Sequence, residues 1–468
     1  MKLILNRLYQ LFPVFLQNLS ITVFGIYWYN RRFGKIFERE YLDCQSREFN
    51  TSEQWQNYQT AELRKLLIHC YQTVPYYKNI FREHNIDEAQ LKGFQISDLK
   101  KIPFLEKETF RLLGTNELIS ERLEKSYTYF DSSGSTGKPT RTMYSKKMHQ
   151  RYFGLFERYI NNWAGLNYKV PRGVIGGRRI IQDGDSSGPY YRYNYIEKQT
   201  YFSAYHISES TAKNYLEGMV KNKVEYMTGY ASANYFLAKF IESSGLKAPK
   251  LRAVLTSSEK LTDEMRNTFR RVYGCEAFDS YNGVECCNLI SECEHKKLHV
   301  IPDVGIVEII NADGSPTMPG EVGEIISTGL LNLNQPLVRY RMGDLVRISK
   351  NQNCNCGRKM VIVDEIFGRI EDTIIGIDGR EMVRFHGVFI GIPQIIESQV
   401  VQHSFVDYEI KLVISEALNE EQLNSIRKKM KSQLGEINLE INTVKEIPKS
   451  ENGKFKSVIS YVNREVMT

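Results

Sequence analysis

Apolar residues recur at helical spacing through roughly the first 125 positions and at strand spacing in much of the remainder. In AELRKLLIHCYQTV, Leu63, Leu66, Leu67, Cys70 and Tyr71 share one helical face, and Pro75 reads as the stop. ISDLKKIPFLEKETFRLL repeats the pattern as helix, proline break, helix. From about 126 to 367, short β-rich runs alternate with helices. VEYMTGY leads into ANYFLAKFIESSG, where Gly245 is a natural C-cap. LRAVLTSSEKL reads as a buried strand and turn before the helix TDEMRNTFRRVYG, capped by Thr262 or Asp263 and ended by Gly274. EAFDSYNGVE reads as the next strand and its exit loop. Such alternation predicts an α/β layered core. VGIVEIINADGSPTMPGEVGEIISTGL adds two alternating strands around Asp-Gly and Pro-Gly turns, an antiparallel part. Beyond residue 367 the character changes. FHGVFIGIPQIIESQ, DYEIKLVIS, LNEEQLNSIRKKMKSQLG and NLEINTVKEIP read as helix, strand, helix, strand. The expected organisation is a large domain, 1–367, followed by a small α+β domain, 368–468.

The 468 residues are 42% hydrophobic and 25% charged, ordinary values for a globular chain long enough for two domains. A formal net charge of +7 suits anionic small molecules or an acidic membrane surface. No dense Lys/Arg tail or nucleic-acid motif is present, so nucleic acid is not an expected partner. Eight cysteines, six of them between Cys275 and Cys356, fit a reducing, cytoplasmic compartment and a local metal site better than a disulfide scaffold.

LFPVFLQNLSITVFGIYWY is the most apolar stretch. Pro13, Gln17, Asn18, Ser20 and Gly25 interrupt it, and a spanning helix needs an unbroken run of about 20 residues. It has no clear small-residue cleavage site of a signal peptide. Two readings stand: a segment packed on the domain, or one lying on the inner face of a membrane with Arg31 and Arg32 beside it.

SYTYFDSSGSTGKPT (126–140) is nine-fifteenths Ser, Thr and Gly. A Walker loop needs Gly-x-x-x-x-Gly-Lys-Ser/Thr; here Gly134-x-x-Gly137-Lys138 runs into Pro139, which disfavours a helix starting at Lys138. The run is therefore not a P-loop. Its chemistry still suits phosphate: Ser132, Ser133, Ser135 and Thr136 bring hydroxyls, and Gly134 and Gly137 let backbone N–H groups turn toward an anion. Taken alone, it is equally a flexible linker.

Four further stretches come in order: SYNGVE (280–285), RYRMGD (339–344), GRIEDTIIGIDG (368–379) and IPKSENGK (447–454). With SSGSTGKPT they resemble the core motifs of the adenylate-forming superfamily of acyl-CoA synthetases, adenylation domains and luciferases. LRKLLIHCYQTVPYYKNIF, LKKIPFLEKETFR and ENGKFKSVIS resemble the phenylacetate–CoA ligase family more closely, in particular its branch associated with capsular polysaccharide. The resemblance spans nearly the whole chain. It implies a large N-terminal domain with a mobile C-terminal lid, and a two-step reaction with ATP and Mg²⁺. A carboxylic acid attacks the α-phosphate to give acyl-AMP and pyrophosphate; CoA or an amine, such as an amino sugar, then takes the acyl group.

The resemblance also implies roles. Ser132, Ser133, Gly134, Ser135, Thr136, Gly137 and Lys138 would hold the β- and γ-phosphates. Ser258, Glu259, Asn282 and Gly283 would join the nucleotide site, with Tyr281 against the adenine. Glu285 would hold Mg²⁺, a hard cation suited to carboxylate oxygen. Asp344 would accept hydrogen bonds from the ribose hydroxyls, and Arg369 would contact ribose or phosphate. Lys454 would stabilise charge developing at the α-phosphate and carboxylate. Glu371 would be the hinge for the lid's rotation. Val284 departs from the usual Ser or Thr, and Glu371 from the usual Asp or Lys; neither change touches Lys454, Asp344 or Glu285. A silent nucleotide-binding scaffold of a membrane-associated polysaccharide assembly is the rival reading. The aromatic-rich runs 190–206 and 229–236 are candidate linings for an acyl pocket.

SECEHKKLHV and NCNCGR supply Cys293, His295, His299, Cys354 and Cys356. Thiolates and imidazole suit tetrahedral Zn²⁺. The expected structural set is Cys293, His299, Cys354 and Cys356, with His295 as the alternative to His299.

Overall fold

Why the first part of the chain is helical is visible in its caps. Thr51 and Gln54 form a reciprocal capping box at the start of the helix Ser52–Thr73. Its Leu63, Leu66, Leu67 and Cys70 are buried, while Tyr71 packs at the margin of the same core. This helix ends at Thr73 with Val74 as its extended C-cap, so Pro75 marks the stop as expected. Pro75 is also the first residue of the next helix, Pro75–Glu83, where its missing N–H costs nothing.

The computed structural model describes residues 9, 11–132, 140–178, 180–181, 188–204, 206–369, 374–375, 381–382, 386–389, 392, 394–448 and 456–462. They divide into two compact units, Met1–Met342 with Val346–Ile366, and Gly343–Leu345 with Phe367–Thr468. No helix among the described residues is long and apolar enough to cross a membrane.

A hairpin pairs β1 (Tyr127–Asp131) with β2 (Arg141–Ser145). The large sheet has twelve strands: β3 (Arg172–Gly176), β4 (Tyr191–Asn194), β5 (Gln199–Ser203), β6 (Tyr226–Tyr230), β7 (Ala253–Ser257), β8 (Glu276–Tyr281), β9 (Ile290–Glu292), β10 (Leu298–Val300), β11 (Gly305–Ile310), β12 (Val322–Gly329), β13 (Tyr340–Ile348) and β14 (Ile362–Arg369). Their order is β11-β12-β13-β14-β10-β9-β8-β7-β6-β3-β5-β4. The run β8-β7-β6-β3-β5 is parallel, with β9 and β4 antiparallel at its two ends. The strand–helix alternation produces this parallel run. Thr262 Oγ1 accepts from Met265 N, and Gly274 (φ 64°) ends that helix. The antiparallel pair β11 and β12 belongs to the same sheet.

β4 is an outer strand of this sheet, and the helix Val14–Arg32 lies along it. The contact is polar. Asn18 Oδ1 accepts from Tyr193 N at 2.9 Å and Thr22 Oγ1 from Tyr195 N at 3.2 Å. Gln17 Oε1 accepts from Arg192 Nε. A Cβ on Gly25 would sit 2.5 Å from Asn194 Nδ2, so the close approach requires glycine. Gln17, Asn18 and Gly25, three of the residues that interrupt the apolar stretch, thus lie on its docking face, where Asn18 and Thr22 accept from backbone donors at an edge strand.

In the second unit, β15 (Ile374–Ile375) pairs with β16 (Glu381–Met382). Strands β17 (Ile395–Gln402), β18 (Asp407–Ile414), β19 (Asn438–Thr443) and β20 (Val458–Ser460) form a sheet in the order β19-β18-β17-β20. Ile426, Met430 and Leu434 of the helix Glu420–Leu434 share a core with Val400, Ile410 and Leu412. Of the helix expected across FHGVFIGIPQIIESQ, the described residues show His386–Phe389 as helix, while IIESQ opens β17. β-Branched Ile395, Ile396, Val400 and Val401 favour the strand.

Glu48 ties the helical region to the sheet. Fully buried, it accepts from Arg158 Nε at 2.6 Å, Arg358 Nε at 2.5 Å and Trp163 Nε1 at 2.8 Å. Arg358 also lies over the Trp163 ring, 4.4 Å from its centroid. Removing one partner of such a network strands the others without water. Glu48→Ala is expected to cost about 3–5 kcal/mol, read as a lowered urea midpoint; an unchanged midpoint would remove Glu48 from this role.

Candidate functional site

Register brings the ends of the parallel strands together. Tyr230 pairs with Ser257 and Ser257 with Ser280, so β6, β7 and β8 end on one line. Ligands of open parallel sheets bind beyond such carboxyl ends. Ser258 comes directly after β7 with φ 70° and is exposed. Glu259 beside it accepts from the backbone N–H of Ser232 at 2.8 Å and from its hydroxyl at 2.6 Å, at the start of the helix Ala231–Ser243. Tyr281 is the last residue of β8, half-buried. Two residues before it, burial pushes the Asp279 carboxyl up to about 7, against a hydrogen bond from Thr256 that favours the charged form.

Asn282, Gly283, Val284 and Glu285 form the turn out of β8. A Cβ on Gly283 would lie 2.6 Å from Glu285 Oε2 and 3.1 Å from Met342 Cε. Glycine there leaves room for the Glu285 carboxylate. The turn is anchored by Tyr144, whose hydroxyl donates to Val284 O at 2.6 Å, and by Cys286 N to Gly283 O at 3.1 Å. Cys286 and Cys287 are buried packing residues behind the turn.

The Ser/Gly run enters this site at its neck. Residues 133–139, including Ser133, Gly134, Ser135, Thr136, Gly137 and Lys138, lie outside the described residues. The two residues that flank them are joined. Ser132 N donates to Thr140 O at 2.8 Å, and Thr140 N donates to Ser132 Oγ at 2.8 Å. The Thr140 hydroxyl lies 2.9 Å from Ser132 Oγ and donates to Glu285 Oε1 at 2.8 Å. Thr140 is buried. Sequence reasoning missed it, although it closes the Ser/Gly run; its partner lies 145 residues away. The structure therefore brings Ser132, Thr140, Gly283 and Glu285 together.

In RYRMGD, both arginines are engaged in ion pairs. Arg339 pairs bidentately with Glu308, and Arg341 with Glu324. Asp344 is half-buried on β13, in the stretch Gly343–Leu345 that groups with the second unit. Arg369 is the last residue of β14, and its side chain lies outside the described part of the structure, as do Glu371 and Lys454 altogether.

A second cluster lies at the β9–β10 hairpin. One ligand atom each from Cys293, His299, Cys354 and Cys356 lies within 4.8 Å of every other. Cys293 Sγ is 3.7 Å from Cys354 Sγ, and Cys356 Sγ is 3.5 Å from His299 Nε2. The sulfur pair is far beyond the ~2.05 Å of a disulfide. A tetrahedral Zn²⁺ with Zn–S of about 2.3 Å and Zn–N of about 2.0–2.1 Å would set thiolates about 3.8 Å apart and a thiolate about 3.6 Å from imidazole. The donors fit that geometry. His299 is fully buried, and burial with Arg358 nearby lowers its pKa to about 4, leaving a neutral imidazole. His295 is not in the cluster.

Comparison with known proteins gives a consistent picture. The chain is 24% identical to protein CapK of Staphylococcus aureus over 470 residues, covering 98% of this chain and all of that one. It is 24% identical to a phenylacetate-coenzyme A ligase of Thermus thermophilus, over 86% of this chain and 95% of that one. Residues 379–461 match the CapK C-terminal domain. Among solved structures, 2-hydroxyisobutyryl-CoA ligase in the postadenylation state superposes with a TM-score of 0.70, at 16% identity, over 90% of this chain and 92% of that one. The chain is thus similar along most of its length to CapK and to phenylacetate-coenzyme A ligases, and it shares the fold of 2-hydroxyisobutyryl-CoA ligase. Its homologues include CapK and phenylacetate-coenzyme A ligases, and its α/β fold is that of adenylate-forming ligases with a C-terminal domain.

The neck of the Ser/Gly run can be tested without substrate. Thr140→Val keeps the shape but deprives Ser132 Oγ and Glu285 Oε1 of a partner. The expected loss is about 1–3 kcal/mol in urea unfolding; an unaltered midpoint would mean the tie contributes nothing.

Proposed function

We propose that this adenylate-forming ligase activates a small-molecule carboxylic acid with ATP and passes the acyl group from acyl-AMP to CoA or to an amine, including an amino sugar of a polysaccharide precursor. The observation that carries the reading is the hydrogen-bonded tie Ser132–Thr140–Glu285. It anchors the base of a hydroxyl-rich loop, suited to departing pyrophosphate, against a carboxylate suited to Mg²⁺. The names of the homologues support CoA as acceptor; the polysaccharide setting rests on the resemblance of the sequence motifs to the branch associated with capsular polysaccharide.

In this reading the loop 132–138 holds the β- and γ-phosphates, with Ser258, Glu259, Asn282 and Gly283 around the nucleotide. Tyr281 stacks on adenine, Asp344 takes the ribose hydroxyls, and Arg369 contacts ribose or phosphate. Lys454 supplies the cation for charge building at the α-phosphate, and Glu371 is the hinge residue. Mg²⁺, when bound at Glu285, neutralises the phosphate charge; the protein residues orient the acid and the nucleotide.

ATP–pyrophosphate exchange across a panel of carboxylic acids tests the first half-reaction. One acid, or a narrow class, is expected to drive exchange, and Lys454→Ala to lower it by about 10²–10³. Nucleotide binding with no exchange for any acid would overturn the assignment in favour of a silent scaffold. Acid-dependent AMP release on adding CoA or candidate amines then identifies the acceptor.

We also propose that Cys293, His299, Cys354 and Cys356 hold a structural Zn²⁺. Four protein ligands leave no open position for catalysis. Purified protein is expected to carry about one zinc per chain, and Cys354→Ser to lose most of it with a lower melting temperature. Equal zinc content in both proteins would overturn the ligand set.

A further inference from the structure

The helix Val14–Arg32 is inverted relative to an ordinary surface helix. An amphipathic helix normally turns its apolar stripe inward. Here Gln17, Thr22 and Gly25 are the residues buried against the sheet edge. The opposite side carries Phe15, Leu19, Val23, Ile26 and Tyr27, continued by Leu11 just before the helix, and these are between 43% and 80% exposed. Their spacing, at i, i+4, i+8 and i+11 to i+12, makes one continuous stripe. Tyr195 and Ile196, in the turn that Thr22 anchors, are also exposed beside it. Soluble monomers rarely leave contiguous apolar surface of this extent uncovered.

Charge indicates what covers it. The first 37 residues contain Lys2, Arg7, Arg31, Arg32 and Lys35 and no Asp or Glu. At the helix's C-terminal end an open cavity of about 820 Å³ is lined by Lys35, Lys146 and Lys147, with Ser126 and Gln150 as further polar groups and Glu124 as its one acid. All three lysines are exposed. Tyr27, 51% exposed, closes the stripe toward this basic end, where an amphipathic ring suits a bilayer–water boundary.

We propose that this face is a seat for the surface of a bilayer containing anionic lipid. The stripe from Leu11 to Tyr27 enters the acyl boundary with the helix parallel to the membrane, and Lys35, Lys146 and Lys147 receive lipid phosphate. The polar contacts to β4 fix the helix to the enzyme, so binding needs no unfolding of the segment. This seat is independent of the adenylation site and stands or falls without it.

Flotation of the full chain with vesicles of phosphatidylcholine and about 30% phosphatidylglycerol provides the test, the composition chosen to present anionic headgroups. The wild-type protein is expected to float with these vesicles and to bind pure phosphatidylcholine much more weakly. Leu19→Gln with Val23→Gln is expected to lower partitioning at least tenfold. Each of Lys35→Gln, Lys146→Gln and Lys147→Gln is expected to lower it about fivefold at low salt. These positions are exposed, and an unchanged circular-dichroism melt confirms that each variant folds. Three results would overturn the proposal: no flotation of the wild type, equal flotation of the Leu19/Val23 variant, or a wild-type dimer in size-exclusion chromatography that this variant dissolves, which would make the stripe an interface between copies.

Discussion

The hydroxyl group of Thr140 joins the two sequence-distant halves of the candidate site, beside that of Tyr144 on the same hairpin. It donates to Glu285, which belongs to the turn out of β8, and it lies against Ser132, where the Ser/Gly run departs. The parallel strands place their ends on a common line, but that line alone would hold the turn and leave the run unanchored. Thr140 gives the run a fixed origin. Gly283 then leaves the Glu285 carboxylate room, and Tyr144 holds the turn's carbonyl. Preorganisation of this type costs nothing at the moment a charged ligand arrives, because the donors and acceptors are already oriented.

Much of the architecture was legible because local signals agreed with the global fold. Strands β6, β7 and β8 each announced themselves as short apolar runs, and the helices between them carried the caps and glycines that mark ends. What escaped local reading depended on partners far along the chain. Gln17, Asn18 and Gly25 looked like defects in an apolar stretch; they are the face that meets β4, some 175 residues later. Pro75 looked like a stop, and it is also a start. The strand Ile395–Gln402 was hidden behind a proline and a mixed pattern of apolar and polar positions that suits either element.

The site shows the same division. Glu285 and its neighbours were found through resemblance of short motifs in order, and the structure sets Glu285 beside the neck of the Ser/Gly run. Thr140 sat in plain view within that run, yet nothing in the local sequence distinguished its hydroxyl from six other Ser and Thr side chains. The Cys/His cluster was readable from residue type alone, because thiols and imidazoles in two short turns have few other reasons to cluster. His299 was already the preferred imidazole; the hairpin, which turns His299 inward on β10, leaves out the alternative His295.

The polar embrace of β4 by the N-terminal helix has a practical consequence for handling this protein. A recombinant fragment trimmed to begin after Phe33 would strip Asn18 and Thr22 from the backbone donors of Tyr193 and Tyr195. Such a fragment would present a raw strand margin that can recruit another chain by backbone pairing. Removing the greasiest segment to improve solubility would trade one adhesive surface for another.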